Sequence, residues 1–195
     1  MKYYWWTQDM YERAKGKELW YIDIPFMDEL GVEEKEPVTE WDPNLIGTYP
    51  SGDCPRRDFP MTLNDWPLYS PRLRELMERL APDSFQALPI RLQNEDGEGE
   101  VPGYSVIQYL RWVECIDRKR TEVRDGSWEP INSSGDYAVG SSTTMFFLDR
   151  AKIEAEKLFR IQGMSTHVVI RQDLKEAIEE AGMTGCEFEE LQVSP

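Results

Sequence analysis

Only two segments of this 195-residue sequence carry the apolar repeat of an amphipathic helix, and about ninety residues separate them. The first runs from Pro71 to Leu80, where Ser70 can cap the helix and Pro71 suits its first turn. The second precedes Gly182, a residue typical of a left-handed C-cap. Its apolar stripe consists of Leu174, Ala177, Ile178 and Ala181. Because helices so far apart cannot alternate with strands as βαβ repeats, the sequence predicts an α+β fold.

Runs of aromatic and β-branched residues predict short strands that pair in mostly antiparallel sheets, with the few helices packed on them. These runs are Tyr3–Trp6, Leu19–Ile24, Phe85–Leu92, Tyr104–Ile116, Met145–Leu148, Leu158–Ile161, Thr166–Ile170 and the edge strand Cys186–Val193. Between them, Thr121–Thr144 is polar and rich in Gly and Ser, which predicts a long loop with one strand near Trp128–Ile131. Its length makes it a candidate binding loop.

Prolines concentrate between Asp23 and Pro71, which predicts extended segments and loops in the N-terminal part of the chain. The sequence contains no internal repeat and no linker rich enough in Pro, Gly or Ser to separate two independent domains. We therefore predict a single domain over residues 1–195. Its proline-rich and loop-rich part reaches to about residue 70, and its part made of sheets and helices begins at about residue 71.

The charge balance restricts the class of partner. The chain has 37 acidic and 22 basic side chains, a net charge of −15, which repels phosphate backbones and anionic lipid surfaces. We therefore expect neither nucleic acid nor a membrane as a partner. Eight of the carboxylates lie between Asp23 and Asp42, where Lys35 is the one cation, and such a segment would attract a basic protein.

Targeting and cysteine patterns point to the cytoplasm. No segment approaches the roughly 20 apolar residues that cross a bilayer, and Asp9 interrupts the region where a signal peptide would be apolar. The three cysteines, Cys54, Cys115 and Cys186, are odd in number and far apart, which predicts reduced thiols. We expect a cytoplasmic protein.

Known catalytic motifs are missing from the sequence. It has no glycine-rich phosphate loop, no GxSxG and no HExxH, and the one histidine, His167, falls within a predicted strand. Acidic runs such as Glu33-Glu34 lack the spacing of a metal-binding loop. We predict no catalytic, cofactor-binding or metal-binding residues and no enzyme. Two of the 37 carboxylates could still converge in a cleft, so a carboxylate-dependent hydrolase stays open as an alternative.

Several motifs together resemble immunity protein family eleven of bacterial polymorphic toxin systems. They are Met1-Lys2-Tyr3-Tyr4, SPRLRELMERL from Ser70, Tyr109-Leu110 to Cys115-Ile116-Asp117, Leu158-Phe159-Arg160, and VVIRQDLKEAIEEAGMTGCEF from Val168. The resemblance covers nearly the whole chain. One departure is Arg171, which stands where similar proteins commonly have a Ser or Thr that caps the last helix.

The resemblance implies a protein that is encoded beside a toxin and neutralises it by binding the toxin domain, with no enzymatic residues of its own. The acidic charge adds the hypothesis of a basic partner, with a nuclease preferred, whose active or substrate-binding surface is occluded. An adaptor or chaperone for a secreted effector is the alternative. The sequence leaves open the toxin's identity, inhibition at the active site or at an exosite, the oligomeric state and the strand order.

The candidate toxin contacts are an acidic segment, Glu29–Asp42, which includes Trp41; an acidic turn, Glu95–Glu100; Trp66; and one further acid. In full they are Glu29, Glu33, Glu34, Glu36, Glu40, Trp41, Asp42, Trp66, Glu95, Asp96, Glu98, Glu100 and Asp125. Aromatic residues in loops can anchor an interface, but they can equally pack in the core. Any single carboxylate of the set can equally serve solubility.

Overall fold

Three α-helices lie within the part of the chain that the computed structural model describes, which is residues 1–9, 21–25, 35–51, 55–63, 66–97, 99–123, 143–145 and 147–195. Helix α1 spans Pro71–Leu80, α2 spans Arg150–Ile153 and α3 spans Gln172–Glu180. None of the helices in these ranges is long and apolar enough to cross a membrane. The sequence predicted α1 and α3, whereas α2 was not predicted.

The predicted capping of both long helices is confirmed. The Ser70 hydroxyl accepts a hydrogen bond from the Leu73 amide at 3.2 Å, and the apolar face of α1 is buried. Gly182 follows α3 with a φ of +62°, and the Met183 amide donates to the carbonyl of Ile178. At the start of α3, the Arg171 guanidinium donates two hydrogen bonds, of 2.7 and 2.8 Å, to the Asp173 carboxylate.

The strands are short, and their pairing is mostly antiparallel. Their bounds are β1 Tyr3–Gln8, β2 Tyr21–Ile22, β3 Ile46–Tyr49, β4 Met61–Thr62, β5 Leu68–Tyr69, β6 Phe85–Pro89, β7 Arg91–Asn94, β8 Glu100–Val101, β9 Ser105–Tyr109, β10 Trp112–Val113, β11 Glu122–Val123, β12 Thr143–Met145, β13 Phe147–Leu148, β14 Leu158–Ile161, β15 Met164–Arg171, β16 Cys186–Glu190 and β17 Gln192–Val193. The largest sheet has the order β10-β14-β15-β1-β16, which puts β16 at an edge as predicted. These elements confirm the α+β class.

Some of the described pairs are parallel, namely β2–β4, β3–β7, β10–β14 and β13–β17. The two three-stranded sheets have the orders β3-β7-β8 and β5-β9-β6. In the second of them, β9 lies between its neighbours, and all five of its residues are buried.

Several predicted strands are wrong in their extent. Cys186–Val193 is two strands, β16 and β17, which belong to different sheets, and Met145–Leu148 falls across β12 and β13, which also belong to different sheets. Phe85–Leu92 is interrupted at Ile90, whose amide bonds to the Tyr104 carbonyl, so β6 and β7 belong to different sheets. Tyr104–Ile116 is likewise two strands, β9 and β10, also in different sheets. The predicted strand at Trp128–Ile131 lies outside the described residues, while β11 and β12 occupy the two ends of the polar stretch that contains it.

The chain divides into two compact units, which we call the first and the second unit. The first unit comprises residues 1–7, 111–176 and 188–195, and the second comprises residues 8–110 and 177–187. The first has a core around Tyr3, Phe159 and Val169, and the second has a core around Leu68, Leu92 and Val106. A single domain over the whole chain, with a loop-rich part to about residue 70, stays a prediction.

Within the second unit, the Thr184-Gly185 turn docks on residues 57–59. The Asp58 carboxylate accepts hydrogen bonds from the Thr184 amide at 3.0 Å and from its hydroxyl at 3.1 Å. The Phe59 amide donates to the Thr184 carbonyl at 3.0 Å. Asp58 also accepts a 2.7 Å hydrogen bond from Ser70, the N-cap of α1, so one buried carboxylate connects three chain segments.

Candidate acidic interaction surface

The acidic charge of the protein belongs almost entirely to one unit. By sequence, the second unit contains 24 acidic and 10 basic residues, a net charge of −14. The first unit contains 13 acidic and 12 basic residues, a net charge of −1. A strongly basic partner is therefore attracted mainly to the second unit.

Two glutamine side chains hold the start of the described acidic segment, residues 36–42, on the β5-β9-β6 sheet. Gln86 and Gln108 face each other across β6 and β9. The Val38 amide donates to the side-chain oxygens of both glutamines at 2.9 Å, and Gln86 donates back to the Val38 carbonyl. Gln108, which is fully buried, donates to the Glu36 carbonyl at 2.5 Å. The two side-chain amides bond the backbone of the acidic segment as a neighbouring strand would, and they hold it in place. The Glu36 and Glu40 side chains are exposed.

Trp41 is half-buried and fixed in place. Its indole nitrogen donates to the Pro89 carbonyl at 2.7 Å, and its ring packs against the core of the second unit. Farther along the chain, Ile46 at the start of β3 is 37% exposed. Apolar surface therefore lies close in sequence to the exposed carboxylates, as in interfaces where an apolar centre is surrounded by charge.

Trp66 is placed differently from Trp41. It is only 6% exposed and belongs to the core of the second unit, where its carbonyl accepts a 2.7 Å hydrogen bond from Thr62. It offers little surface to a partner. We therefore leave Trp66 out of the proposed contact set.

The acidic turn connects β7 to β8 in the sheet that contains β3. The Glu95 amide donates to the Tyr49 carbonyl at 3.0 Å, and the Tyr49 hydroxyl donates to the Gly99 carbonyl at 3.1 Å. The acidic segment precedes β3 in the chain, and the acidic turn follows β7. Because β3 and β7 are parallel, the segment leads to the end of the sheet where both strands begin, and the turn leaves the end where both strands finish. Four residues of strand, about 13 Å, thus separate the two groups of carboxylates along the sheet.

Three of the six described candidate carboxylates serve the fold. Asp42 accepts a hydrogen bond from the Asn44 amide at 2.8 Å, which forms an Asx turn. Asp96 accepts from the Ser51 hydroxyl, and Glu100 accepts two hydrogen bonds from Arg91, of 3.0 and 2.7 Å. The Arg91 guanidinium lowers the pKa of Glu100 and neutralises its charge locally.

The other three, Glu36, Glu40 and Glu95, are exposed. Their carboxylates form no hydrogen bond or ion pair with any residue that the structure describes. They are thus available to a partner at no cost in local structure. The predicted contacts Glu29, Glu33, Glu34, Glu98 and Asp125 lie outside the described residues.

The described residues also include two thiols and further acids outside the candidate set. Among these residues, no group of three or more His, Cys, Asp and Glu side chains could hold a metal ion. Neither Cys115 nor Cys186 belongs to a disulfide, and burial raises the pKa of Cys115 to about 12, so it remains a protonated, poor nucleophile. Cys54 lies outside the described ranges, and His167 falls in β15 as predicted.

Comparison with known proteins agrees with the resemblance seen in the sequence. The model of the Immunity protein family (Imm11) matches residues 5–193 and thus covers nearly all of both units. A comparison with curated proteins gave no significant match. The family supports an immunity role, and it implies that the protein binds a cognate toxin. Membership of an immunity protein family suggests a non-enzymatic role. The chain belongs to the immunity protein family Imm11.

Proposed function

We propose that this immunity protein neutralises its toxin by binding a basic surface of the toxin through the acidic second unit. The observation that carries the proposal is the concentration of charge, a net −14 in the second unit against −1 in the first. Glu36, Glu40 and Glu95 are the described carboxylates that we assign to the contact, with Trp41 and Ile46 as apolar neighbours. We expect the encounter in the cytoplasm of the cell that makes both proteins.

The preferred toxin is a nuclease. A nuclease must hold phosphates in a positively charged cleft, and an acidic protein can occupy that cleft in place of the nucleic acid. The Gln86 and Gln108 clamp supports such a role, because it fixes the backbone of the acidic segment before binding and reduces the entropy lost on association. Occlusion of the substrate cleft would then account for neutralisation without any chemistry by this protein.

Electrostatic steering makes a specific kinetic prediction. Attraction between a net charge of −14 and a basic cleft accelerates association by roughly 10-fold to 1,000-fold, and salt screens it. We expect the association rate constant for the protein encoded beside this one to fall at least about tenfold between low and high ionic strength. A rate constant that does not change with ionic strength would contradict the proposal.

A charge-reversal pair tests the assigned surface. In one variant, Glu36, Glu40 and Glu95 are replaced by Lys. In the matched control, the exposed acids Glu154, Glu176 and Glu189 of the first unit are replaced by Lys, which changes the net charge equally. We expect about a hundredfold slower association for the first variant and a much smaller change for the control. Equal losses of association rate in the two variants would show that only the total charge matters. If the protein encoded beside this one binds but is not toxic, the adaptor function would be favoured.

A further inference from the structure

Two glutamines lie beside apolar core residues on one face of the β5-β9-β6 sheet. Gln86 pairs with Gln108 across β6 and β9, and Leu88 pairs with Val106 on the same two strands. Because side chains alternate between the two faces of a strand, these four side chains share one face. Leu88 and Val106 belong to the core of the second unit, and Gln108 is fully buried. Burying an amide there costs free energy unless its groups form hydrogen bonds.

The two glutamine amides find their partners in the backbone of the acidic segment. The Val38 amide donates to both side-chain oxygens, while the amide groups of Gln86 and Gln108 donate to the carbonyls of Val38 and Glu36. Among the residues that the structure describes, no backbone–backbone hydrogen bond joins residues 36–41 to another part of the chain. The Trp41 indole adds its bond to the Pro89 carbonyl. The position of the segment on the sheet therefore depends on side chains.

The glutamine clamp holds the acidic segment without neutralising it. Arg91, by contrast, bonds Glu100 in the same unit and offsets its charge. A glutamine amide donates and accepts hydrogen bonds but carries no charge. The exposed carboxylates of Glu36 and Glu40 thus keep their full charge on a backbone that is already held in place. A charged contact that is ordered before binding loses less entropy when the partner arrives.

We propose that Gln86 and Gln108 are positioning residues for the toxin contact, which act through Glu36 and Glu40 by holding these carboxylates in their binding geometry. The inference rests on the proposed function. Attraction between charges sets the association rate, and the neutral clamp leaves that attraction unchanged. The clamp instead sets how much order the segment must gain in the complex, and this cost appears in the dissociation rate.

Replacement of each glutamine by Met tests the clamp, because methionine is similar in length, leaves the net charge unchanged and cannot form the same hydrogen bonds. Gln86 is half-buried, so Gln86→Met is the milder of the two variants. Circular dichroism first shows that each full-length variant is folded. Surface plasmon resonance then measures its binding to the purified protein encoded by the neighbouring gene. We expect dissociation about tenfold faster and an association rate constant within about twofold of wild type.

Gln8→Met is the matched control. The Gln8 side chain donates to the Trp66 carbonyl at 3.3 Å, so the variant removes the same kind of bond in the same unit, but one that does not involve the acidic segment. We expect both rate constants of this control to stay within about twofold of wild type. An equal acceleration of dissociation in Gln8→Met and Gln86→Met would overturn the proposal.

A double-mutant cycle separates positioning from a general loss of structure. Gln86→Met is combined with Glu36→Gln and Glu40→Gln, which remove the charges of the two positioned carboxylates. We expect Gln86→Met to change dissociation by less than about twofold in this background, because the residues through which it acts are gone. An effect of the same size in both backgrounds would mean that the amide only supports the fold, and it would overturn the proposal.

Hydrogen–deuterium exchange of the free protein tests the clamp without a partner. We expect residues 36–42 to exchange faster in Gln86→Met than in wild type, and unchanged exchange would contradict the clamp. Wild-type binding with unchanged dissociation in both glutamine variants would overturn the positioning role and leave the immunity function intact. A wild-type protein that binds no toxic neighbour would contradict the proposed function itself.

Discussion

Replacing Gly185 by Ala should destabilise the second unit strongly, because this glycine satisfies two demands at once. Its φ of +83° lies in the left-handed region, which costs a residue with a Cβ about 1 kcal/mol. An added Cβ would also lie 2.3 Å from the Phe59 carbonyl oxygen and 3.0 Å from its carbon. The backbone at Phe59 would have to move by about 1.1 Å to bring its carbonyl oxygen from 2.3 Å to the 3.4 Å at which ordinary contacts begin.

That movement would disturb the docking of the turn on residues 57–59. The hydrogen bonds at risk are Phe59 to Thr184, at 3.0 Å, and Asp9 to Gly185, at 2.9 Å, each contributing about 1 kcal/mol. Together with the backbone strain, we expect Gly185→Ala to lower the free energy of unfolding by about 3 to 4 kcal/mol.

Gly182→Ala is the matched control. Gly182 also has a positive φ, +62°, but an added Cβ would meet nothing within 4 Å. We expect it to lose only about 1 kcal/mol. Guanidinium unfolding followed by far-UV circular dichroism and tryptophan fluorescence measures both variants. Equal losses for the two glycines would refute the argument from close packing.

Three further predictions concern buried or paired groups. Asp58→Ala leaves three donors without their acceptor and should lower the free energy of unfolding by about 3 to 5 kcal/mol, measured by the same denaturation; a loss below 1 kcal/mol would contradict it. The hydrogen bonds from Arg171 lower the pKa of Asp173 below its usual 3.8, so the stability that this pair adds is present above that value and is lost as the pH falls through the lowered pKa. Wild-type and Asp173→Asn proteins should therefore converge in stability at acidic pH, and a constant difference in thermal denaturation would oppose this assignment. Cys115, with its pKa of about 12, should react with iodoacetamide at pH 8.5 far more slowly than the half-buried Cys186, as peptide mass spectrometry can show; similar rates would mean that the buried thiol is accessible.

The parts of the fold that follow local rules were predictable from sequence. Ser70 and Pro71 mark the start of α1, and Gly182 marks the end of α3. Each acts through contacts within a few residues, so these helix ends can be predicted from the local sequence. Helix α2 has only four residues, which is too short for an apolar repeat.

Strand limits depend on distant partners and were predicted less well. The run from Tyr104 to Ile116 has strand-like composition throughout. Its hydrogen bonds nevertheless change at the middle, because the Leu110 amide bonds to Ser84 while the Arg111 carbonyl accepts from Arg160. No feature of the run itself reveals that change.

The acidic surface was predictable as charge but not as structure. Composition located the acidic segment Glu29–Asp42, of which the structure describes residues 35–42, and the acidic turn. The clamp of Gln86 and Gln108 depends instead on cross-strand pairing, which the residue types do not encode. Sequence also could not separate Trp41 from Trp66, since both lie among acidic and proline-rich residues. Burial separates them, because the core contains Trp66 and leaves Trp41 partly exposed.

Growth of cells that co-express the neighbouring gene tests the central claim most directly. The neighbour is induced alone, with wild-type protein, or with the Glu36, Glu40 and Glu95 to Lys variant, and complex formation is followed by size-exclusion chromatography. We predict that the neighbour kills cells alone, that wild-type protein protects them and co-elutes with the neighbour, and that the variant protects poorly. A neighbour that is harmless alone, or that kills despite the wild-type protein, would contradict neutralisation by binding.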